Sequence, residues 1–236
     1  MLKKNLLVFP ILIALTTNVT GQAFKGYGGY MVGLWTIDWS TMNAQISEAA
    51  TDFGMGKFDQ TLMLNGGGGA ANVYNNLFIG GMVFGGSTHI NGVDSLGVNR
   101  DITVSATLGG PIVEANFQPY GKLEVILGTG LLFGQASIRV IKDSGTNSWD
   151  NIWESFDTQN SPNYLNTTAA TSITVINPYL TLRYPLMPWF GIDLNLGYNL
   201  TLYDTNGWEA NGGPLAGKQE LGLSRPFFRI SLLFGG

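Results

Sequence analysis

The chain has a single histidine, His89, two residues after Ser87. On a strand the two side chains would share a face. A serine beside an imidazole becomes a nucleophile and base pair when a carboxylate orients the ring. No carboxylate falls at a spacing that completes such a triad, and a polar residue near a strand end is the simpler role for His89. Asp204-x-Asn206-Gly207-x-Glu209 offers oxygen ligands at partly calcium-like spacing but misses the full loop pattern. Gly66-x-Gly68-x-x-Ala71 imitates a dinucleotide fingerprint without the helix and distant acidic residue that such a site requires. With no cysteine, disulfides, thiolate metal sites and a lipid-bearing Cys are excluded. The expectation is a non-enzymatic protein with no catalytic residues, no metal and no cofactor. A lipid-modifying enzyme built on His89 is the catalytic alternative.

More informative are the charged residues inside otherwise apolar strands, and the stretch Phe190 to Tyr203 shows why. Phe190, Ile192, Leu194, Leu196, Tyr198, Leu200 and Leu202 occupy one alternate set. Gly191, Asp193, Asn195, Gly197, Asn199, Thr201 and Tyr203 occupy the other. Successive side chains of a strand point to opposite faces, so one face is apolar and the other polar or small. The run is more than twice the roughly five or six residues of an ordinary strand. A tilted strand that crosses a bilayer needs about 9–11 residues, apolar toward lipid and polar toward a lumen.

Composition agrees. Only 12% of residues are charged, against roughly 25% in ordinary soluble domains. The chain carries 33 glycines and 13 phenylalanines, and its mean hydropathy is +0.13. Lys3 and Lys4 precede the apolar run Leu6 to Leu15, and small or polar residues follow through Ala23. That run is too short to cross a bilayer as a helix and reads as a secretory signal peptide over residues 1–23, leaving one domain over residues 24–236. A net charge of −4 offers no basic patch for nucleic acid.

Strand-like runs fall at Phe24–Asp38, Phe58–Ala71, Leu77–Ile90, Arg100–Phe117, Gly121–Ile141, Thr171–Tyr184, Phe190–Tyr203 and Gln219–Phe234. Connections alternate between short (Asn72–Asn76, Gln118–Tyr120, Pro185–Trp189) and long (Trp39–Lys57, Asn91–Asn99, Lys142–Ala170, Asp204–Lys218). An even strand count with short turns at one end and long loops at the other is the pattern of bacterial outer-membrane barrels. Tyr74, Tyr120, Tyr184, Trp189 and Phe234 fall at the short-turn ends, and Trp39, Tyr203 and Trp208 at the long-loop ends. They read as two interfacial girdles. Faces of the first three strands are ambiguous because of their glycines, and Gly109-Gly110-Pro111 marks a bulge in the fourth.

The mature chain resembles the small eight-stranded outer-membrane barrels, the OmpA-like and OmpX-like group. The terminal run from Pro226 to Gly235 is the most specific part: Phe228, Ile230, Leu232 and Phe234 alternate up to a near-terminal aromatic. It is similar to the signal read by the barrel-assembly machinery, except that Gly235 and Gly236 follow the aromatic. The resemblance implies an all-β, eight-stranded, antiparallel up-and-down transmembrane barrel with short periplasmic turns and long external loops. Its partners would be outer-membrane lipid and, during biogenesis, the assembly machinery of a Gram-negative bacterium. The barrel would be a monomer.

Eight strands leave an interior just wide enough for side chains, so charges inside it must pair. Glu114, Glu124 and Asp193 are expected to form a lumen network with Arg183 and Arg229. Arg225 is placed on the same inward face as Arg229, and Lys122 on that of Glu124. Two external loops carry helical spacing. In the first, Met42, Ile46, Ala49, Ala50 and Phe53 recur after a cap at Ser40 or Thr41. In the third, Trp149, Ile152, Trp153 and Phe156 recur, and Trp149, Trp153 and Phe156 form a candidate contact surface. The expected role is envelope integrity or surface contact through the loops. Alternatives are a narrow passive pore, the lipid-modifying enzyme, and a soluble lipocalin-like barrel with its apolar face turned inward.

Overall fold

The computed structural model describes residues 25–49, 54–59, 61–94, 97–143 and 164–235. The candidate signal peptide and Trp149, Trp153 and Phe156 lie outside them. In chain order the elements are β1 (Gly26–Trp35), α1 (Ser40–Ala49), β2 (Leu62–Tyr74), β3 (Leu77–Val93), β4 (Asn99–Tyr120), β5 (Leu123–Asp143), β6 (Tyr164–Met187), β7 (Phe190–Tyr198), β8 (Leu200–Leu202), β9 (Glu209–Ala210), β10 (Gly213–Pro214) and β11 (Pro226–Gly235). Each of the strands β1 to β6 pairs antiparallel with the next. β11 pairs with both β7 and β1 and closes a ring of eight strands. Closure leaves no free edge along the ring, which is how an antiparallel sheet of this length satisfies its backbone.

Tight turns link β2 to β3, β4 to β5 and β6 to β7, and the paired ends of β1 and β11 lie at that same end. Asn75 and Gly121 take the left-handed conformation there, with φ of 47° and 56°. This suits residues that tolerate positive φ in a tight turn. The sequence reading set these turns a few residues early; the strands run further toward them.

The period of two sorts the side chains. On β7, Leu194 and Leu196 are 55% and 53% exposed, whereas Asp193 and Asn195 are 2% and 5% exposed. β11 repeats this, with Phe228, Ile230, Leu232 and Phe234 outward and Phe227, Arg229, Ser231 and Leu233 buried. The greasy faces therefore look outward, the reverse of a lipocalin-like cavity. The glycine-rich strands resolve the same way: Tyr27, Met31 and Trp35 of β1 point in, and Tyr30 and Leu34 point out. Some inward glycines make room for large rings. A Cβ at Gly128 would lie 2.3 Å from the Tyr179 ring, and one at Gly33 would lie 2.5 Å from that of Phe227.

The sequence did not reveal how far four strands continue. β2 stays in register with β3 only to Asn65↔Gly85, and β1 with β11 only to Trp35↔Phe227. The β3–β4, β4–β5 and β5–β6 pairs run on to Val93↔Asn99, Asn99↔Asp143 and Asp143↔Tyr164. A four-stranded sheet thus projects beyond the ring at the long-loop end. Its convex face is polar: the Ser105 and Ser137 hydroxyls hydrogen bond at 2.7 Å, and Arg139 Nε donates to Asn166 Oδ1 at 3.1 Å. Its concave face carries Val104, Ala106 and Ile138, all buried in the main hydrophobic cluster.

An apolar sheet face must be covered, and the remaining loops cover this one. Met42 of α1, Trp39, Phe58, Trp208, Leu221 and Leu223 are buried in the same cluster. Trp39 stacks on Phe58 with ring centroids 4.7 Å apart. Trp35 Nε1 donates to Leu223 O, and Trp208 Nε1 to Gln219 O, each at 3.0 Å. This corrects the girdle expected at the long-loop end, because Trp39 and Trp208 form a roof over the barrel. At the short-turn end Tyr74, Tyr184, Trp189 and Phe234 are exposed, and the last two stack at 6.3 Å.

Candidate functional site: the charged lumen

The half of the lumen nearer the short turns is polar. Glu114 on β4, Glu124 on β5, Arg183 on β6, Asp193 on β7 and Arg229 on β11 all point inward and are buried. Register brings three of them into one row: Glu124 faces Arg183 across β5–β6, and Arg183 faces Asp193 across β6–β7. Arg183 donates from Nε and Nη2 to the two oxygens of Asp193, each at 2.9 Å. Such a fork-on-fork pair is the strongest geometry for a guanidinium.

Glu114 accepts hydrogen bonds from two phenols, Tyr27 at 2.6 Å and Tyr179 at 2.8 Å. The tyrosines also meet the arginines. Arg183 Cζ lies 3.9 Å from the centroid of the Tyr27 ring, and Arg229 Cζ lies 4.9 Å from that of Tyr179. A chain of contacts therefore runs Asp193, Arg183, Tyr27, Glu114, Tyr179, Arg229 across five strands. Arg229 joins it through the Tyr179 ring and directs Nη1 at Met82 Sδ, 2.9 Å away. Glu124 accepts from Asn116 Nδ2 at 2.7 Å. Asn195, level with Arg229 in register, donates to Thr181 Oγ1, and nearer the long loops Asn177 donates to Asn199 Oδ1, each at 2.7 Å.

Sequence reasoning named the five charged residues but missed Tyr27, Tyr179 and Asn116. Tyr179 shares its alternate set with Arg183, so parity could have found it. Tyr27 sits among glycines that blur the alternation. Two residues placed inward at the sequence level are not inside. Lys122 is exposed in the β4–β5 turn. Arg225 precedes β11 at the long-loop end, where it pairs with Asp38 in an exposed ion pair. A charge at a strand end reaches water more cheaply than it can be buried.

Chemically the lumen is a tie. Glu124 and Arg183 are each 0% exposed, so water-sized molecules do not reach them. The apolar cluster around Trp35, Leu62 and Phe84 fills the barrel above. The other candidates lie apart from this network. His89 lies on the outer face of β3 opposite Thr103. Asp204 Oδ1 accepts from the Asn206 amide at 2.9 Å and so closes on its own turn. Among the described residues no group of three potential ligands could hold a metal. Gly66, Gly68 and Ala71 belong to the β2 ladder.

No protein-family model and no curated protein matches the chain. Among solved structures, the chain is similar to Ail, the attachment invasion locus protein of Yersinia pestis. Against the structure of Ail in complex with the heparin analogue sucrose octasulfate, identity is 12%, the TM-score is 0.39, and 89% of this chain and 94% of that chain are covered. Against a second Ail structure, identity is 13% and the TM-score 0.35, with the same coverage.

Proposed function

We propose that the mature chain is a monomeric, non-enzymatic barrel of the Gram-negative outer membrane. Its work, envelope integrity or surface contact, falls to the roofed external end. Residues 1–23 direct export and are removed, and the alternating apolar face of β11 is presented to the assembly machinery. The observation that carries this reading is the inverted partition of one closed ring: apolar side chains face out around it while charged and amide groups are packed inside. Lipid is the solvent that suits such a surface. The packed lumen favours a structural plug over a conducting pore.

Fractionation of the producing cells tests the membrane reading. The protein is expected in the outer-membrane fraction, soluble only in detergent, with gel migration that changes on heating. Recovery in a detergent-free soluble fraction would overturn it. In planar bilayers the purified protein is expected to show no steady conductance. Comparing cells that carry the intact protein with cells that carry a version trimmed in its long loops then assigns the role. Loss of cell binding with an intact permeability barrier indicates surface contact, and the reverse indicates envelope integrity.

A further inference from the structure

The dipeptide Asn-Gly occurs three times, at Asn91-Gly92, Asn206-Gly207 and Asn211-Gly212. Its glycine nitrogen can attack the preceding side-chain amide, because glycine carries no side chain to obstruct the five-membered ring that forms. The sequence makes the three pairs alike, and the structure separates them.

Asn91 and Gly92 lie within β3, paired with Asp101 and Arg100 of β4. Gly92 is also crowded by the first long loop, where a Cβ would lie 2.8 Å from Met55 Cα. A ladder and a packed loop together oppose the backbone rotation that ring closure needs. Asn206 and Gly207 sit in a closed turn. The Gly207 amide donates to Asp204 O at 3.0 Å, and the Asn206 amide to Asp204 Oδ1 at 2.9 Å. The attacking nitrogen there is already engaged.

Asn211 and Gly212 differ on each count. They are the two residues between the paired Ala210 and Gly213 of the β9–β10 hairpin. Their φ values of 52° and 78° are those of the type I′ turn that Asn-Gly favours. Both residues are exposed. Among the described residues neither the Asn211 side chain nor the Gly212 amide has a hydrogen-bond partner. A Cβ on Gly212 would meet nothing within 4 Å. The hairpin ladder has only two residue pairs, and so short a ladder opens at low free-energy cost. A free nucleophile, an unheld electrophile and a yielding backbone meet at this pair, so that near-attack conformers are accessible.

We propose that Asn211 is a site of spontaneous isoaspartate formation. The Gly212 nitrogen bonds to Asn211 Cγ, and its proton passes through solvent to Nδ2, which leaves as ammonia. Water then opens the cyclic imide at either carbonyl, giving aspartate or isoaspartate. Isoaspartate adds one carbon to the main chain of a turn built for two residues. The Leu215 amide, which donates to Trp208 O at 2.8 Å across the hairpin base, then loses its alignment. Trp208 is part of the buried roof, so the reaction loosens the external end. This goes beyond a role in envelope integrity or surface contact, and its test does not depend on that role.

The test ages the full mature barrel in phosphatidylcholine nanodiscs at mildly alkaline pH and follows the three pairs by peptide mass spectrometry. Asn211 is expected to convert at least tenfold faster than Asn91 or Asn206, with isoaspartate as the larger product. In the urea-unfolded chain the three rates are expected to converge within threefold. Amide exchange at Leu215 is expected to accelerate at least fivefold in the aged protein. It should stay unchanged in Asn211→Asp, which adds the charge without the extra main-chain carbon. Equal rates at the three pairs in the folded barrel would overturn the proposal. So would the same tenfold preference in the unfolded chain, which would assign it to sequence alone. Leu215 exchange unaffected by ageing would overturn the proposed effect on the roof.

Discussion

Arg183 and Asp193 stand directly opposite each other on β6 and β7 and join through two hydrogen bonds of 2.9 Å, with side chains 1% and 3% exposed. A buried pair costs much to desolvate, so its presence is weak evidence of net stabilisation, whereas removing one partner strands the other. Asp193→Ala is expected to destabilise the barrel by about 3–5 kcal/mol. An Arg183→Met, Asp193→Leu double variant should recover most of that loss. Equilibrium urea unfolding in phospholipid vesicles measures both. A double variant as unstable as the sum of its singles would show that the pair acts through something other than its charges.

Gly128 tests how tightly the lumen is packed. Its Cα lies under the Tyr179 ring, and any Cβ would lie 2.3 Å from that ring. The ring must move, and with it the hydroxyl that holds Glu114 at 2.8 Å. Gly128→Ala is expected to cost about 1–3 kcal/mol, the usual range for overpacking, while Gly56→Ala in the first long loop costs less because nothing lies within 4 Å of it and its φ is not left-handed. If Gly128→Ala unfolds at the same urea concentration as the parent, the lumen has slack that these distances do not show.

These two tests also mark what the sequence could and could not disclose. The period of two in Phe190–Tyr203 placed Asp193 inside and Leu194 outside because one strand's pattern fixes both faces. The same rule failed for Tyr27, flanked by Gly26, Gly28 and Gly29, where the alternation has no side chains to read. The network joining Glu114 to Arg229 runs through tyrosines from strands far apart in sequence, and only register could bring them together. The roof was misjudged for a related reason. Trp39 and Trp208 sit where a girdle would, and nothing local distinguishes an aromatic facing lipid from one folded back over a sheet. What decides is the projection of β3–β6 past β2, a property of unequal pairing that no single segment carries.

Lipid facing the outer surface predicts a depth-dependent response to charge. Leu194, midway along β7, and Leu202, at the long-loop end, are both outward and exposed. Arg at the bilayer midplane of a barrel costs about 2–4 kcal/mol, falling to about 0–1 near the interface. Leu194→Arg is therefore expected to lower folding stability in vesicles by the larger amount and Leu202→Arg by the smaller. Equal effects would mean that the apolar belt is not centred on β7 as its exposure pattern places it.

The start of α1 gives a prediction for acid. Asp38 Oδ1 accepts from the Ser40 amide at 3.1 Å, and the carboxylate also meets Arg225. Hydrogen bonds from the Ser40 side chain and backbone, with a smaller contribution from Arg225, hold the Asp38 carboxyl below its ordinary value. A group whose folded value is depressed stabilises fully above its unfolded value and loses that contribution as pH falls through the folded one. The anchoring of α1 by Asp38 should therefore hold from neutral pH down to about pH 4, the ordinary Asp range, and weaken below it. Amide exchange in α1 is expected to accelerate in that acid window in the parent, and Asp38→Asn, which cannot titrate, should abolish this pH dependence. Because the Ser40 contacts outweigh Arg225, Ser40→Ala should raise the carboxyl's titration point, followed by NMR, more than Arg225→Gln does. The opposite order would show that the exposed ion pair, rather than the turn leading into α1, sets the charge at this end of the barrel.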